Sequence, residues 1–282
     1  MIPTYSAPGY LDVTLGSVMP QAATADAEVI VVSDGIDSAT AAVTERHGAR
    51  LVQLHEHRGL NAARNAGVRE ARSDVIVFID QDIEAPPGWL DALIEGVRST
   101  PDREVFGGPI WARLEGGPRG CGREPAPITT LDRGLEDRDV PIVWGANMTI
   151  RRSAFERVGY FDESLHGRGN EDDWEDRYTA NGGRIRYLAK AGLIHRRNAE
   201  DARLRVLVRA AYGQGREARR NDVRVGKARS VSMEIRVFVG CAWHTLRRRC
   251  AYGIVMGARS AGSLREAVVG RCSRSGLLDH GS

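Results

Sequence analysis

The run Asp74-Val75-Ile76-Val77-Phe78-Ile79 is the strongest strand signal in the chain, and it passes without a break into Asp80-Gln81-Asp82. A continuous β-branched and apolar run suits a strand buried on both faces, the kind that parallel sheets contain. Pro86-Pro87-Gly88 breaks the chain shortly after, and Trp89 to Val97 reads as a helix. The same alternation precedes it. Glu28 to Gly35 is a short β-branched run ending in a turn, residues 38–47 read as a helix, Ala49 to Leu54 as a strand and Asn61 to Ala71 as a helix. Strand and helix in strict alternation predict an α/β fold, with a mostly parallel sheet flanked by helices.

Further along, the Gly- and Pro-rich stretch from Gly107 to Pro127 reads as a long loop, and loops of that length usually carry function. Pro141-Ile142-Val143-Trp144 resumes the core. Ser153 with Glu156 three residues on resembles a capping box. Glu171 to Ala180 is expected to be helical, stopped by Asn181-Gly182-Gly183, and Arg184 to Leu188 and Leu193 to His195 to be short strands. After His195 the pattern changes. Leu204, Leu207, Val208, Ala211 and Tyr212 share one helical face, and Val231, Ile235, Phe238, Val239, Ala242 and Leu246 form a second apolar stripe, with Arg between. A catalytic domain over residues 1–200 and a basic amphipathic helical extension over 201–282 are therefore expected.

Charge divides at the same place. Residues 201–282 carry 17 Lys and Arg against 6 Asp and Glu, and the first 200 residues carry 23 against 31. A basic tail on an acidic body points to an anionic partner for one of the two. An Arg-rich amphipathic helix can lie in a membrane interface, which makes the tail a candidate for peripheral contact with the inner membrane face. The competing reading packs its stripes on the acidic half. No recognition motif accompanies the basic residues, so a nucleic-acid partner is not expected. Cys121, Cys241, Cys250 and Cys272 are scattered, with no CxxC spacing. Neither a zinc site nor a disulfide framework is expected, and a reducing cytoplasm fits. The opening residues lack the pattern of a signal peptide, and no run of ~18 apolar residues is present to cross a membrane.

Chemistry-bearing residues lie where an open parallel sheet binds ligands, beyond the carboxyl ends of its strands. Asp34 follows one strand, and Asp80 and Asp82 follow the strongest. Asp-x-Asp at a strand end offers hard oxygen ligands to Mg²⁺ or Mn²⁺, which take one or two carboxylates together with substrate phosphates. A second copy, Asp137-Arg138-Asp139, falls in a loop and reads as solvated surface. The other cluster runs from Asn170 through Glu171, Asp172, Asp173, Trp174 and Glu175 to Asp176. It is either a negatively charged helix start, favoured by the dipole, or the source of a general base.

Taken in order, these segments resemble glycosyltransferase family 2, the inverting transferases of GT-A fold. Ile2-Pro3-Thr4-Tyr5 is similar to the family's "IPTYN", and Val31 to Asp37 to its "VVDDGSxD". Gly59 to Gly67 is similar to "GxxxARNxG", Phe78 to Asp82 to "FLDxD", and Arg151 through Glu163 to "RRxxFxxxGxFDE". The resemblance covers about residues 2–200. It implies a Rossmann-like domain that moves a sugar from a nucleotide-diphosphate donor to an acceptor hydroxyl with help from a divalent cation, Mn²⁺ or Mg²⁺. It also implies roles. Pro3, Thr4, Tyr5 and Asp34 would sit against the base and ribose, and Arg64 against the base or diphosphate. Asp80 would meet ribose or metal with Gln81 beside it, and Asp82 would hold the metal. Trp144 and Gly145 would line the sugar and acceptor site, and His195 would be a third metal ligand. The base falls on Glu171 counting back from Arg177, and on Asp172 by the Glu-Asp dipeptide, with Asp173 as a third candidate.

The chain departs from the family pattern in two further places. The strand that precedes "IPTYN" is nearly missing from a sequence that opens Met1-Ile2, and Ser33 and Ile36 replace an Asp and a Ser of the nucleotide motif. The missing strand and the ambiguous base motif support an alternative, a nucleotide-sugar-binding protein with lost or reduced turnover. The acceptor is left open between a glycan, a lipid-linked intermediate and a small natural product.

Overall fold

The computed structural model describes residues 1–123, 128–165, 171–224 and 228–275. Asn170 at the head of the acidic cluster, part of the 107–127 segment and the end of the basic tail lie outside the described residues, as does the side chain of Cys272. The chain forms two compact units. The first comprises Met1–Trp111 and Thr130–Arg196, the second Ala112–Thr129 and Arg197–Ser282.

In the first unit, β1 (Ile2–Thr4), α1 (Pro8–Thr24), β2 (Ile30–Ser33), α2 (Ser38–Arg46), β3 (Arg50–Gln53) and α3 (Leu60–Glu70) alternate. The strands pair in parallel in the order β1-β2-β3. β1 therefore forms despite its short run, fully buried and in register with β2 from Ile2–Val31 to Thr4–Ser33. Next come β4 (Val75–Ile79), β5 (Ile83–Glu84), α4 (Trp89–Ser99), β6 (Val105–Gly107) and β7 (Ile110–Leu114). β7 is a strand inside the segment read as a loop; its start is held by Ile110, which exchanges backbone hydrogen bonds with Leu131. β8 (Arg138–Val140), β9 (Asn147–Arg151), α5 (Arg152–Val158), α6 (Asp172–Ala180), β10 (Ile185–Tyr187) and β11 (Leu193–Arg197) follow. The second sheet runs β4-β9-β6-β10-β8 and is mixed, because β9 inserts antiparallel between β4 and β6 while β6 and β10 are parallel. Ile79 N–H donates to Met1 C=O, which joins this sheet to β1. α1 carried no sequence expectation, although Leu11, Leu15, Val18 and Ala22 lie at helical spacing and are all buried.

The family-like motifs fold against one another. Asn65 in α3 accepts from Phe161 N–H at 3.1 Å and donates to Phe161 C=O and to Glu163, so the "ARN" segment anchors the "FDE" segment. Gly67 lets α3 approach β1 and β2, since a Cβ there would overlap Met1 and Val32. Arg152 donates to the carbonyls of Val68, Ala71 and Ser73 at the C-terminus of α3, and Arg151 donates to Val97 C=O in α4 and to Arg103 C=O. Both arginines thus satisfy carbonyls that a helix end leaves open. Arg151 occupies the N-cap of α5. Ser153 makes no capping bond and instead donates to Glu104, so the capping box does not form. Below α6, Phe78, Phe155, Phe161, Trp174 and Tyr178 pack ring on ring, and the Trp174 indole N–H donates to Gly159 C=O at 2.7 Å.

The second unit holds α7 (Leu204–Arg224), α8 (Val231–Arg248) and α9 (Ala251–Ser275). α9 packs against both others. Gly215 and Gly262 allow α7 and α9 to touch backbone to backbone, and Glu266 on α9 pairs with Arg216 and Arg220 on α7. Its apolar core is small: Ile128, Leu207, Ala211 and Val255 are buried, with a few partly buried neighbours. No helix among the described residues is long and apolar enough to cross a membrane.

Candidate active site

Past the end of β4, the Asp80-Gln81-Asp82 turn is pinned from several sides. Thr14 on α1 donates to Gln81 C=O at 2.7 Å and to Ile83 C=O at 2.8 Å. The Gln81 side chain accepts from the Thr4 hydroxyl and from Tyr5 N–H at the end of β1. On the far side, β5 pairs antiparallel with β11 with His195 opposite Ile83, and Arg196 N–H donates to Asp82 C=O. That register brings His195 Nε2 to 3.6 Å from Asp80 and 3.5 Å from Asp82. One donor atom from each of the three residues lies within 4.8 Å of the others, with His195 buried and both carboxylates partly open. Two carboxylates and one imidazole form a donor set that fits a divalent cation such as Mn²⁺.

Beside this group lies a cleft of about 300 Å³ lined by Pro3, Thr4, Tyr5, Asp34, His57, Leu60, Ala63, Asp80, Gln81 and Asp82. Asp34 is buried. Its carboxylate accepts from the backbone N–H groups of Arg58 and Gly59 at 2.7 and 2.8 Å and meets His57 Nδ1 at 2.8 Å. It thereby shapes the loop that opens α3, where Gly59 adopts φ +97°, a conformation glycine tolerates without a Cβ penalty. The His57 ring lies against Tyr5 with centroids 4.2 Å apart and planes tilted by 31°, so two rings stand at the cleft. Sequence reasoning missed His57, because its position depends on Asp34 holding the loop.

Arg64 is not among the residues lining that cleft. Its guanidinium is buried 3.4 Å from Glu171 and lies over the Phe161 ring. Glu171 also accepts from Gly145 N–H at 3.2 Å, and a Cβ on Gly145 would overlap Arg64. Arg64, Gly145 and Glu171 form one polar knot that ties the Trp144–Gly145 loop to α6, and Trp144 packs against the apolar core. Asp172 opens α6, which places it next to this knot in sequence. Asp173 pairs with Arg177 at 3.0 Å. Glu175 is fully buried under the same loop and accepts from Val143 N–H; burial, reinforced by Glu171, Asp172 and Asp176, pushes its carboxyl well above the usual range. Asn147 ties neighbouring loops, donating to Pro109 and Ala191 carbonyls and accepting from the Trp89 indole.

The chain is 28% identical to the glucosyl-dolichyl phosphate glucuronosyltransferase of Haloferax volcanii over 154 residues, 51% of this chain and 49% of that one. It is 32% identical to the pre-mycofactocin glycosyltransferase of Mycobacterium tuberculosis over 177 residues, 59% of this chain and 37% of that one. The alignments span half or less of these relatives' length. Among solved structures, Staphylococcus aureus TarS 1–349 in complex with UDP superposes with a TM-score of 0.54 at 20% identity, over 75% of this chain and 63% of that one. GalNAc-T7 with UDP, GalNAc and Mn²⁺ superposes with 0.54 at 16% identity, over 70% and 42%. Both share the GT-A fold with this chain. The family model described as Glycosyl transferase family 2 matches residues 1–159, more than half of the chain, and the chain belongs to that family.

Proposed function

We propose that the protein transfers a sugar from a nucleoside-diphosphate donor to an acceptor hydroxyl, with inversion at the anomeric carbon and with a divalent cation bound by Asp80, Asp82 and His195. The observation that carries this reading is the convergence of those three side chains beside a cleft built from the ends of β1, β2 and β4. A cation bound there supplies charge neutralisation to the departing diphosphate. Tyr5 and His57 offer the nucleobase a stacking surface, and Pro3, Thr4 and Asp34 surround the ribose.

Asp172 is the general base in this reading. Asp172 carries this role as the Asp of the Glu-Asp dipeptide at the start of α6, while Glu171 meets Arg64 and Gly145 N–H and Asp173 meets Arg177. Asp172 takes the proton of the acceptor hydroxyl as the acceptor oxygen bonds to the anomeric carbon. The bond from that carbon to the diphosphate breaks on the opposite face, and its electron pair leaves with the nucleoside diphosphate. Incubation with UDP- and GDP-sugars, Mn²⁺ and a set of acceptors tests this, reading free nucleoside diphosphate and the anomeric configuration by NMR. Donor binding without release under any condition would favour the alternative, a binding protein without turnover.

α8 presents a largely apolar outer face. Ile235, Phe238, Val239, Trp243 and Leu246 are 41–77% exposed, whereas Glu234, Cys241, His244 and Thr245 face inward. The outward face is apolar and is flanked by exposed Arg236, Arg247, Arg248 and Arg249. Apolar residues including a Trp, rimmed by arginine, suit the interface of an anionic membrane, where each basic residue contributes about 1 kcal/mol. Peripheral membrane contact, with a lipid-linked acceptor as its purpose, is the reading we favour for this surface.

A further inference from the structure

The second unit brings together three side chains that lie far apart in sequence. Cys121 precedes His244 by 123 residues and Cys250 by 129. Cys121 Sγ lies 3.5 Å from His244 Nε2, and one donor atom from each of the three residues lies within 4.8 Å of the others. The scattered spacing gave no reason to expect these three side chains to meet, and the fold brings them together.

Each ligand is held by an identifiable feature. α8 ends at Arg249, whose left-handed backbone (φ +49°) turns the chain sharply into α9. His244 sits on the inward face of α8, within two turns of its end, and Cys250 sits directly before α9, where the helix N-terminus favours a thiolate. The segment bearing Cys121 is strapped onto that same point. Ala251 N–H donates to Arg119 C=O, and Gly120 lies so close to the Tyr252 ring that a Cβ would overlap it. Cys121 N–H donates to Cys250 Sγ at 3.2 Å, the kind of bond that orients and stabilises a metal-bound thiolate. Cys250 is fully buried, and Cys121, Cys241 and Cys250 are all reduced.

We propose that Cys121, His244 and Cys250 bind a zinc ion that fastens the 112–129 segment to the α8–α9 hairpin. Two sulfurs and one imidazole nitrogen match zinc's preference, with the fourth position left for water or an exogenous ligand. The small apolar core of this unit gives such a clip a structural purpose, since metal-binding free energy adds directly to folding free energy. This site is separate in composition from Asp80, Asp82 and His195, which contain no sulfur.

The test uses the full chain, kept reduced, with Cys241→Ser and Cys272→Ser introduced so that only the two proposed thiols remain. Titration with Co²⁺ should produce a thiolate-to-cobalt charge-transfer band and intense tetrahedral d–d bands that saturate at one equivalent, and Zn²⁺ should abolish both. The Asp80 site can bind Co²⁺ but cannot give the charge-transfer band. Adding Cys121→Ser should diminish the band, and Cys121→Ser with Cys250→Ser should remove it. Absence of the band in the parent chain would overturn the proposal, as would its survival in the double variant. Formation of a Cys121–Cys250 disulfide on exposure to dissolved oxygen at the same rate with and without Zn²⁺ would also overturn it.

Discussion

In the first unit, buried polar side chains hold loops. Asp34 fixes the opening of α3, Asn65 and Asn147 stitch neighbouring segments, and Arg151 and Arg152 close helix ends. In the second unit the polarity of α8 is reversed: Glu234, Cys241 and His244 turn inward while Phe238, Trp243 and Leu246 face out. A domain that completes its own core spends its polar groups on shaping a cleft. A helix with its apolar side outward needs something else to cover it. The contrast underlies the two proposals, sugar transfer at the cleft of the first unit and lipid contact at the outer face of α8.

The largest expected effect separates the two acids at the start of α6. Asp172→Asn should lower turnover by roughly 10²- to 10⁴-fold, the range for losing a general base, with donor affinity unchanged. Glu171→Gln should disturb turnover through the Gly145 loop, and single-turnover kinetics tells them apart: Asp172→Asn lowers the rate at saturating acceptor, and Glu171→Gln also weakens acceptor binding. Near-normal turnover in Asp172→Asn would move the base elsewhere. Next in size is the aromatic cluster. Trp174→Ala removes a fully buried indole and its bond to Gly159, and denaturant unfolding should give a loss of about 3–5 kcal/mol. A loss below 1 kcal/mol would mean that α6 is not anchored by this ring.

The reversed helix predicts a salt-sensitive lipid interaction. The chain should sediment with anionic vesicles at low salt, not with neutral ones, and Trp243→Ala with Leu246→Ala should abolish this while leaving donor turnover on a soluble acceptor intact. Failure to bind anionic vesicles, with a dimer seen by light scattering, would instead assign the face to a second copy of the chain. The smallest effect concerns Glu175. Its folded carboxyl titrates above its unfolded value near 4.5, so the neutral acid's contribution is complete below that value and is lost as pH rises toward the folded pKa. Glu175→Gln mimics the neutral form and keeps the acceptor for Val143 N–H. Its stability relative to the parent should therefore grow with pH above about 4.5, measured as the difference in melting temperature. A difference that does not vary with pH would show that Glu175 is ionised in the folded state.

Much of the first unit was legible in the sequence because its signals are local. The β4 run, the turn at Asp80–Asp82 that ends it and the glycines of the α3 motif each show their local conformation within a few residues. What was hidden depends on distant partners. The burial of Arg64 against Glu171, 107 residues away, could not be read from its motif. Ser153 has the spacing of a capping box, but Glu104 competes for its hydroxyl. β7 is short and lies among glycines and prolines, which masked its strand character. His57 becomes part of the cleft only through Asp34. In the second unit, periodicity showed that α8 has an apolar stripe and could not show which side it faces. Spacing alone could not bring Cys121 to His244.

The assignment of Asp80, Asp82 and His195 as the cation site of a nucleotide-sugar cleft rests on their convergence past the end of β4. It is tested most directly by calorimetric titration of UDP and GDP into the parent chain and into Asp82→Ala, each with and without Mn²⁺. Nucleotide binding that Mn²⁺ strengthens in the parent and no longer strengthens in a folded Asp82→Ala variant is the predicted result. Mn²⁺-dependent binding that survives unchanged in Asp82→Ala would contradict it.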